Sequence, residues 1–315
     1  MNTRRPLGEL PMCRFTLYVG PPIPLASLVT EPEHSLIHQS YECRERSEPL
    51  NGDGFGVAWW PATRPEHPAV FCSTTPAWSN RNLLELAPVV ESGLIMAHVR
   101  AATVGSGTID VNCHPFKSEG YAFMHNGDVG RFGGIKRHLT AELSDEAFGA
   151  IRGSTDSEHV FALFLDEARS LGRERGDAAS LGAALERALG RIVTLAMKHA
   201  PGADLHLNLA VSDGVSAAVV RYTNLPGHPG SSLYLNRGRR YVCESGVCRM
   251  LEPEEGAGAV LISSEPLSQE PGWSPVPPQS LVMVAADRSV QVRPLGLATA
   301  LPAGMARRNG VTVPA

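Results

Sequence analysis

The last third of the chain constrains the fold most. Leu205, Leu207, Leu209 and Val211 alternate with polar or small neighbours, a two-residue period that puts the apolar set on one side of a strand. A Ser212-Asp213-Gly214 turn follows, and Ala217 to Tyr222 returns as the second arm of a hairpin. Further strands are expected at Ser232–Leu235, Ala259–Ser263 and Ser280–Val284, the last forming a second hairpin through Ala286-Asp287-Arg288 to Val290–Val292. Such a segment has to fold into antiparallel sheet.

Upstream, the period changes. Phe55, Val57 and Trp59 mark a strand over Gly54–Trp60, and Leu94–Arg100 reads as another. Leu83, Leu84 and Ala87 give Asn80–Val90 the spacing of a short helix. A longer helix is expected to begin near Thr155, where Thr155-Asp156-Ser157-Glu158 fits a capping box before the stripe Val160, Phe161, Phe164, Leu165, Ala168. Another runs from about Ala178 to His199, its stripe most simply a core face. Runs of hairpins joined to runs of helices indicate an α+β layered fold with antiparallel sheets rather than βαβ units.

With 315 residues, 43% of them hydrophobic, the chain can bury a large core in one domain. A net charge of −4 does not suit a nucleic-acid binder, and no apolar run approaches the roughly 20 residues that span a bilayer. Residues 1–12 are unpatterned and lack a signal-like apolar region, so a soluble, cytoplasmic protein is expected. The six cysteines are accordingly expected as reduced thiols rather than a disulfide framework. Cys243 and Cys248 could start a metal site, but no second close pair of Cys or His completes four ligands at zinc-like spacing, and no metal is expected.

Several segments carry candidate chemistry. Met12-Cys13-Arg14-Phe15 could, once Met12 is removed, expose a cysteine whose α-amine sits beside its own thiol; the bland alternative is a buried cysteine opening a strand. Asn51-Gly52-Asp53-Gly54-Phe55-Gly56 is glycine-rich, yet a strand pattern follows it where a phosphate loop needs a helix N-terminus. It reads as a tight turn whose glycines admit close approach of another strand or of a substrate. Arg100 ends an apolar strand and suits a bidentate grip on a carboxylate, though it could cap an edge or pair with a surface acid; Thr103 and Gly105 begin the next loop. Tyr121–Met124 leads into His125-Asn126-Gly127, either a hairpin turn or an oxyanion hole built from the Asn126 amide and the Gly127 N–H.

Taken in order, Met-Cys-Arg-Phe, Asn-Gly-Asp-Gly-Phe-Gly, Arg-Ala-Ala-Thr-Val-Gly, Asn112-Cys113-His114-Pro115-Phe116, His-Asn-Gly and Ser-Thr-Asp-Ser-Glu resemble the class II glutamine amidotransferases of the N-terminal-nucleophile hydrolase superfamily. The likeness is dense over about residues 12–165, and Ser263-Ser264-Glu265-Pro266-Leu267 and Trp273 extend it less specifically. It points to the stand-alone branch holding the amidotransferase-like subunit of the fungal glutathione-degradation complex and the ergothioneine-pathway γ-glutamyl amidohydrolase. The resemblance implies a four-layer αββα sandwich over residues 13–300, with residues 1–12 untranslated or removed and 301–315 a flexible tail. It also implies Cys13 as nucleophile with its α-amine as base, Asn126 and Gly127 as oxyanion donors, Arg100 and Thr103 at the substrate, and Asp156 on its α-ammonium. The implied substrate is a small γ-glutamyl compound, with no cofactor and with a partner hydrolase or acceptor enzyme conceivable. Rival readings are a non-catalytic partner subunit, an ammonia-supplying glutaminase, and an amidase for acylated amino acids. The last would want an apolar pocket in place of Arg100 and Asp156.

Overall fold

A computed structural model describes residues 13–45, 50–101, 107–172, 174–244, 246–251 and 258–297. The strands in chain order are β1 (Arg14–Pro24), β2 (Phe55–Trp59), β3 (Ala69–Ser73), β4 (Glu91–Val99), β5 (Phe116–Ser118), β6 (Tyr121–Val129), β7 (Leu205–Ser212), β8 (Ala217–Thr223), β9 (Tyr234–Gly238), β10 (Arg240–Glu244), β11 (Val247–Leu251), β12 (Ala259–Ser263), β13 (Ser274–Pro275), β14 (Ser280–Val284) and β15 (Val290–Pro294). The helices are α1 (Ala26–Val29), α2 (Leu36–Gln39), α3 (Arg81–Leu86), α4 (Phe132–Ala141), α5 (Asp145–Gly149), α6 (Asp156–Ser170) and α7 (Ala178–His199). One antiparallel sheet has the order β13-β9-β12-β1-β4-β2-β3 and the other β15-β14-β8-β7-β6-β5, while β10 and β11 form a separate hairpin.

Strand alternation sorts the side chains into three apolar layers. Phe15, Leu17, Val19, Met96, Met124, Ala210, Val219, Ile262 and Val282 meet between the two sheets. The opposite residues of β7 and β8, such as Leu207, Leu209 and Val220, pack against α6 and α7 through Phe161, Phe164, Leu185 and Ile192. On the far face of the larger sheet, Tyr18, Val57, Ile95 and Ala97 bury Leu28, Leu36 and Leu83 of the short helices. The order helix, sheet, sheet, helix is the α+β sandwich expected from the sequence. Each inward strand position is therefore buried on both sides, and a polar residue there has to find a partner or face a cavity.

Both long helices start where the pattern puts them, and α7 also ends there. At α6, Thr155 accepts the Glu158 N–H as a cap should, but the Glu158 carboxylate does not return to Thr155; it accepts from the N–H groups of Arg152 and Gly153 at 2.9 and 2.6 Å. The expectation of fully reduced cysteines is corrected. Cys243 and Cys248 stand directly opposite across the β10–β11 hairpin, with Cα atoms 4.1 Å apart, and are joined in a disulfide. The hairpin itself brings the two thiols together, a local pairing that sequence spacing alone did not separate from a metal pair. Among the described residues, Glu31, Cys243 and Cys248 form the group whose donor atoms lie within 4.8 Å of one another, and two of those atoms are consumed by the bond. No helix among the described residues is long and apolar enough to cross a membrane. The leader 1–12, Thr103 with the rest of 102–106, and the tail expected at 301–315 lie outside the described residues.

Candidate active site

Cys13 enters β1 on the face of Phe15, toward the space between the sheets, and is 8% exposed. Burial pushes its thiol up to about 11; the carbonyl of Ala101, 3.7 Å from Sγ, and the charges of Arg100 and Arg14 only partly offset that, while Asp156 adds to it. At neutral pH such a thiol stays protonated and needs a base to become a nucleophile. The nearby imidazoles are poor candidates. Burial lowers His98 to about 3, its Nε2–H is committed to the His125 carbonyl at 3.1 Å, and His114 and His125 are likewise held below their ordinary range by burial.

The strand carrying Cys13 is fixed by a buried ionic cluster that sequence reasoning did not single out. Arg14 Nη1 donates to the Cys13 carbonyl at 3.0 Å, and its Nε donates to Glu265 at 2.8 Å. Glu265 is fully buried and also meets His34 Nε2 at 2.7 Å and the Arg44 N–H at 2.9 Å. Burial alone would raise this carboxyl, but the His34 hydrogen bond, the Arg14 charge and the Arg44 N–H hold it at about 2. The available signal was an arginine inside an otherwise apolar strand, matched by a glutamate 251 positions later.

Asn126 and Gly127 do not form a hairpin turn. Both lie inside β6, paired with Asn208 and Leu207 of β7. A Cβ on Gly127 would overlap the His206 carbonyl oxygen, so β7 approaches here only because the residue is glycine. The Asn126 amide sits over Ser264: Nδ2 lies 3.2 Å from Ser264 Oγ, which also accepts the Phe15 N–H at 3.0 Å, and the buried Oδ1 has no partner among the described residues. Turning the amide over lets the Ser264 hydroxyl donate to Oδ1 and aims the NH₂ group away from the serine, where it can donate to a substrate oxygen. Two residues on, Asp128 shares the inward face; burial and then the Asp156 charge raise its carboxyl to about 6.

Asp156 is tied to the same strand end, accepting from the Val129 N–H at 2.8 Å and from the Ser157 N–H at 2.7 Å. Arg100, 3% exposed, stands just beyond β4 and is held by the glycine-rich turn: Asp53 N–H donates to the Arg100 carbonyl at 3.0 Å and Arg100 N–H to the Gly54 carbonyl at 2.8 Å. The turn glycines admit protein rather than leaving room for substrate. A Cβ on Gly54 would come within 2.8 Å of Cys113 Sγ and of the Ser73 carbonyl, and one on Gly56 would overlap the His114 carbonyl. The fold thus brings together Cys13, Arg100, Asn126, Gly127 and Asp156, five of the six residues expected from sequence, with Thr103 outside the described residues.

Residues 27–225 match the family model of class II glutamine amidotransferases. The chain is 40% identical over 294 residues to the probable glutamine amidotransferase DUG3 of Saccharomyces cerevisiae, covering 87% of this chain and 82% of the relative. It is 28% identical to the gamma-glutamyl-hercynylcysteine sulfoxide hydrolase of Mycolicibacterium smegmatis, over 90% of this chain and all of the relative. A solved glutamine aminotransferase class-II domain protein from Silicibacter pomeroyi superposes with a TM-score of 0.62 at 27% identity, covering 90% of this chain and 99% of that one. The glutamine phosphoribosylpyrophosphate amidotransferase of B. subtilis, at 14% identity and a TM-score of 0.56, shares the fold alone. A matched family model and a relative 40% identical over most of both chains settle the assignment: the protein belongs to the class II glutamine amidotransferases.

Proposed function

We propose that this enzyme cleaves the amide bond of a γ-glutamyl compound through a γ-glutamyl thioester on Cys13. The observation that carries the reading is the convergence of a buried thiol, the Asn126-Gly127 pair of β6, and two opposite charges, Arg100 and Asp156, at one end of the inter-sheet layer. Arg100 would hold the substrate α-carboxylate and Asp156 its α-ammonium, with Thr103 on the adjoining loop. The γ-carbonyl would then lie over Cys13 with its oxygen toward the Asn126 amide and the Gly127 N–H.

The α-amine of Cys13, once nothing is bonded to its nitrogen, would take the thiol proton. Sulfur then attacks the γ-carbon, the C–N bond breaks, and the departing amine leaves with that proton. Water, or an acceptor supplied by a partner protein, resolves the thioester, and no cofactor enters the reaction. A thiol lifted to about 11 by burial makes such an intimate base necessary. We place the enzyme in the cytoplasm because a reactive thiol suits a reducing compartment; the Cys243–Cys248 disulfide, closed within one hairpin, is the feature that runs against this placement.

A γ-glutamyl conjugate as substrate, such as glutathione or a related thiol conjugate, is supported by the likeness to a relative named as a gamma-glutamyl-hercynylcysteine sulfoxide hydrolase. Comparison of kcat/KM for glutamine and a panel of γ-glutamyl peptides, using protein that begins at Cys13, tests the reading. Peptides should be hydrolysed at least as well as glutamine. Efficient glutaminase activity with no peptide turnover would instead identify an ammonia-supplying subunit.

A further inference from the structure

Across the smaller sheet, Asn126 of β6 pairs with Asn208 of β7, Asn208 with Arg221 of β8, and Arg221 with Ser280 of β14. All four belong to the inward set, because their neighbours two residues away, Met124, Ala210, Val219 and Val282, form the core between the sheets. At this level an apolar layer gives way to a polar row that begins at the proposed oxyanion donor. Successive strands are about 4.8 Å apart, so the Arg221 backbone lies roughly 10 Å from that of Asn126.

Arg221 is 8% exposed and makes no ion pair among the described residues. Its Nη1 donates to the Val276 carbonyl, while its buried Nε has no partner among the described residues. Glu45, whose charge reaches it, is engaged by the Tyr234 hydroxyl at 2.8 Å. Between Arg221 and Asn126, Asn208 donates from Nδ2 to the Ser231 and Ser232 carbonyls at 3.3 and 3.1 Å, which fixes its amide, and its buried Oδ1 accepts nothing. A buried guanidinium with no ion-pair partner among the described residues, beside a buried acceptor with no donor among them, is costly unless a ligand satisfies both. The ligand those two groups suit carries a carboxylate and an N–H.

We propose that Arg221 and Asn208 form a second recognition subsite, which binds the carboxylate and an amide N–H of the leaving group. This rests on the γ-glutamyl reading above. Arg100 and Asp156 address the glutamyl half, and Arg221 lies two strands from Asn126 on the β7–β8 side, where this subsite places the departing amine. A one- or two-residue leaving group reaches up to about 3.5 Å per residue from the scissile nitrogen, which brings a terminal carboxylate within range of the arginine side chain. The favoured substrates are then γ-glutamyl conjugates of amino acids or short peptides with a free carboxylate.

The test compares γ-glutamyl-alanylglycine with its C-terminal amide, using protein that begins at Cys13. The acid is expected to have the higher kcat/KM by about 10- to 100-fold, the worth of a hydrogen bond to a charged group. Arg221→Met should collapse that ratio toward one, and Arg221→Lys should keep part of it. Alanylglycine should also inhibit wild-type glutamine hydrolysis more strongly than alanylglycinamide, a readout that needs no variant to fold. Equal kcat/KM for acid and amide in the wild type, or a ratio that survives Arg221→Met, overturns the subsite while leaving the γ-glutamyl reading intact. Failure of the wild type to turn over any γ-glutamyl compound, glutamine included, overturns both.

Discussion

Replacing Glu265 by glutamine tests how the nucleophile strand is held. The carboxylate is fully buried and takes three donors, from Arg14, His34 and the Arg44 backbone. Holding this carboxyl at about 2 instead of its ordinary 4.5 corresponds to about 3 kcal/mol of preference for the charged form in the folded protein. Glutamine keeps the size but removes the charge and turns an NH₂ toward donors, taking from the buried Arg14 the carboxylate its Nε meets at 2.8 Å. Removing one partner of a buried pair costs about 3–5 kcal/mol, so a loss of that size is expected in urea denaturation at pH 7. Because the folded-state value is depressed, the carboxylate's contribution is complete above about 4.5 and is lost as pH falls toward about 2, so the gap between wild type and variant should narrow only in that window. Since Arg14 also grips the Cys13 carbonyl, kcat should fall as well. A loss under about 1 kcal/mol with unchanged kcat would refute the idea that this cluster positions the nucleophile.

Gly127→Ala should cost well over about 2 kcal/mol in thermal or urea unfolding, because a Cβ there overlaps the His206 carbonyl; a variant as stable as wild type would refute the β6–β7 register. Asn126→Ala should lower kcat by roughly 10²- to 10³-fold, and Ser264→Ala should lower it less, with KM little changed in both, since the serine only orients the amide. Arg100→Lys and Asp156→Asn should act mainly on KM in steady-state assays, because the α-carboxylate and α-ammonium keep their charges through the reaction; a normal KM in either would count against the assignment.

Much of the architecture was legible because period and burial agree. The apolar sets of β7 and β8 face α6 and α7, and those helices match their stripes from Ala178 to His199 and from Asp156 onward. The β10–β11 hairpin escaped because Arg240–Leu251 is short and partly exposed, with charged residues interrupting its pattern. The Asn-Gly pair is a strong turn signal locally, yet here pairing with β7 overrides it, and the glycine serves close approach instead. Candidate residues of the site were legible where they sit in ordered motifs around strand ends. Ser264 and Glu265 stood only in a motif that extended the likeness, without a role, because each acts through a partner distant in sequence: Arg14 lies 251 positions from Glu265, and Asn126 lies 138 from Ser264; Asn208 and Arg221 carried no motif. Only the register of the smaller sheet shows that Asn126, Asn208 and Arg221 share its inward face at one level.

The central claim is a thioester on an N-terminal Cys13. Acid quenching of the enzyme during turnover of a γ-glutamyl substrate, followed by intact-mass and peptide mass spectrometry, measures it directly. A mass gain of one γ-glutamyl group is expected on the peptide whose first residue is Cys13, and none on chains that retain Met12. Turnover by chains that still carry Met12, or an adduct on any other residue, would contradict it.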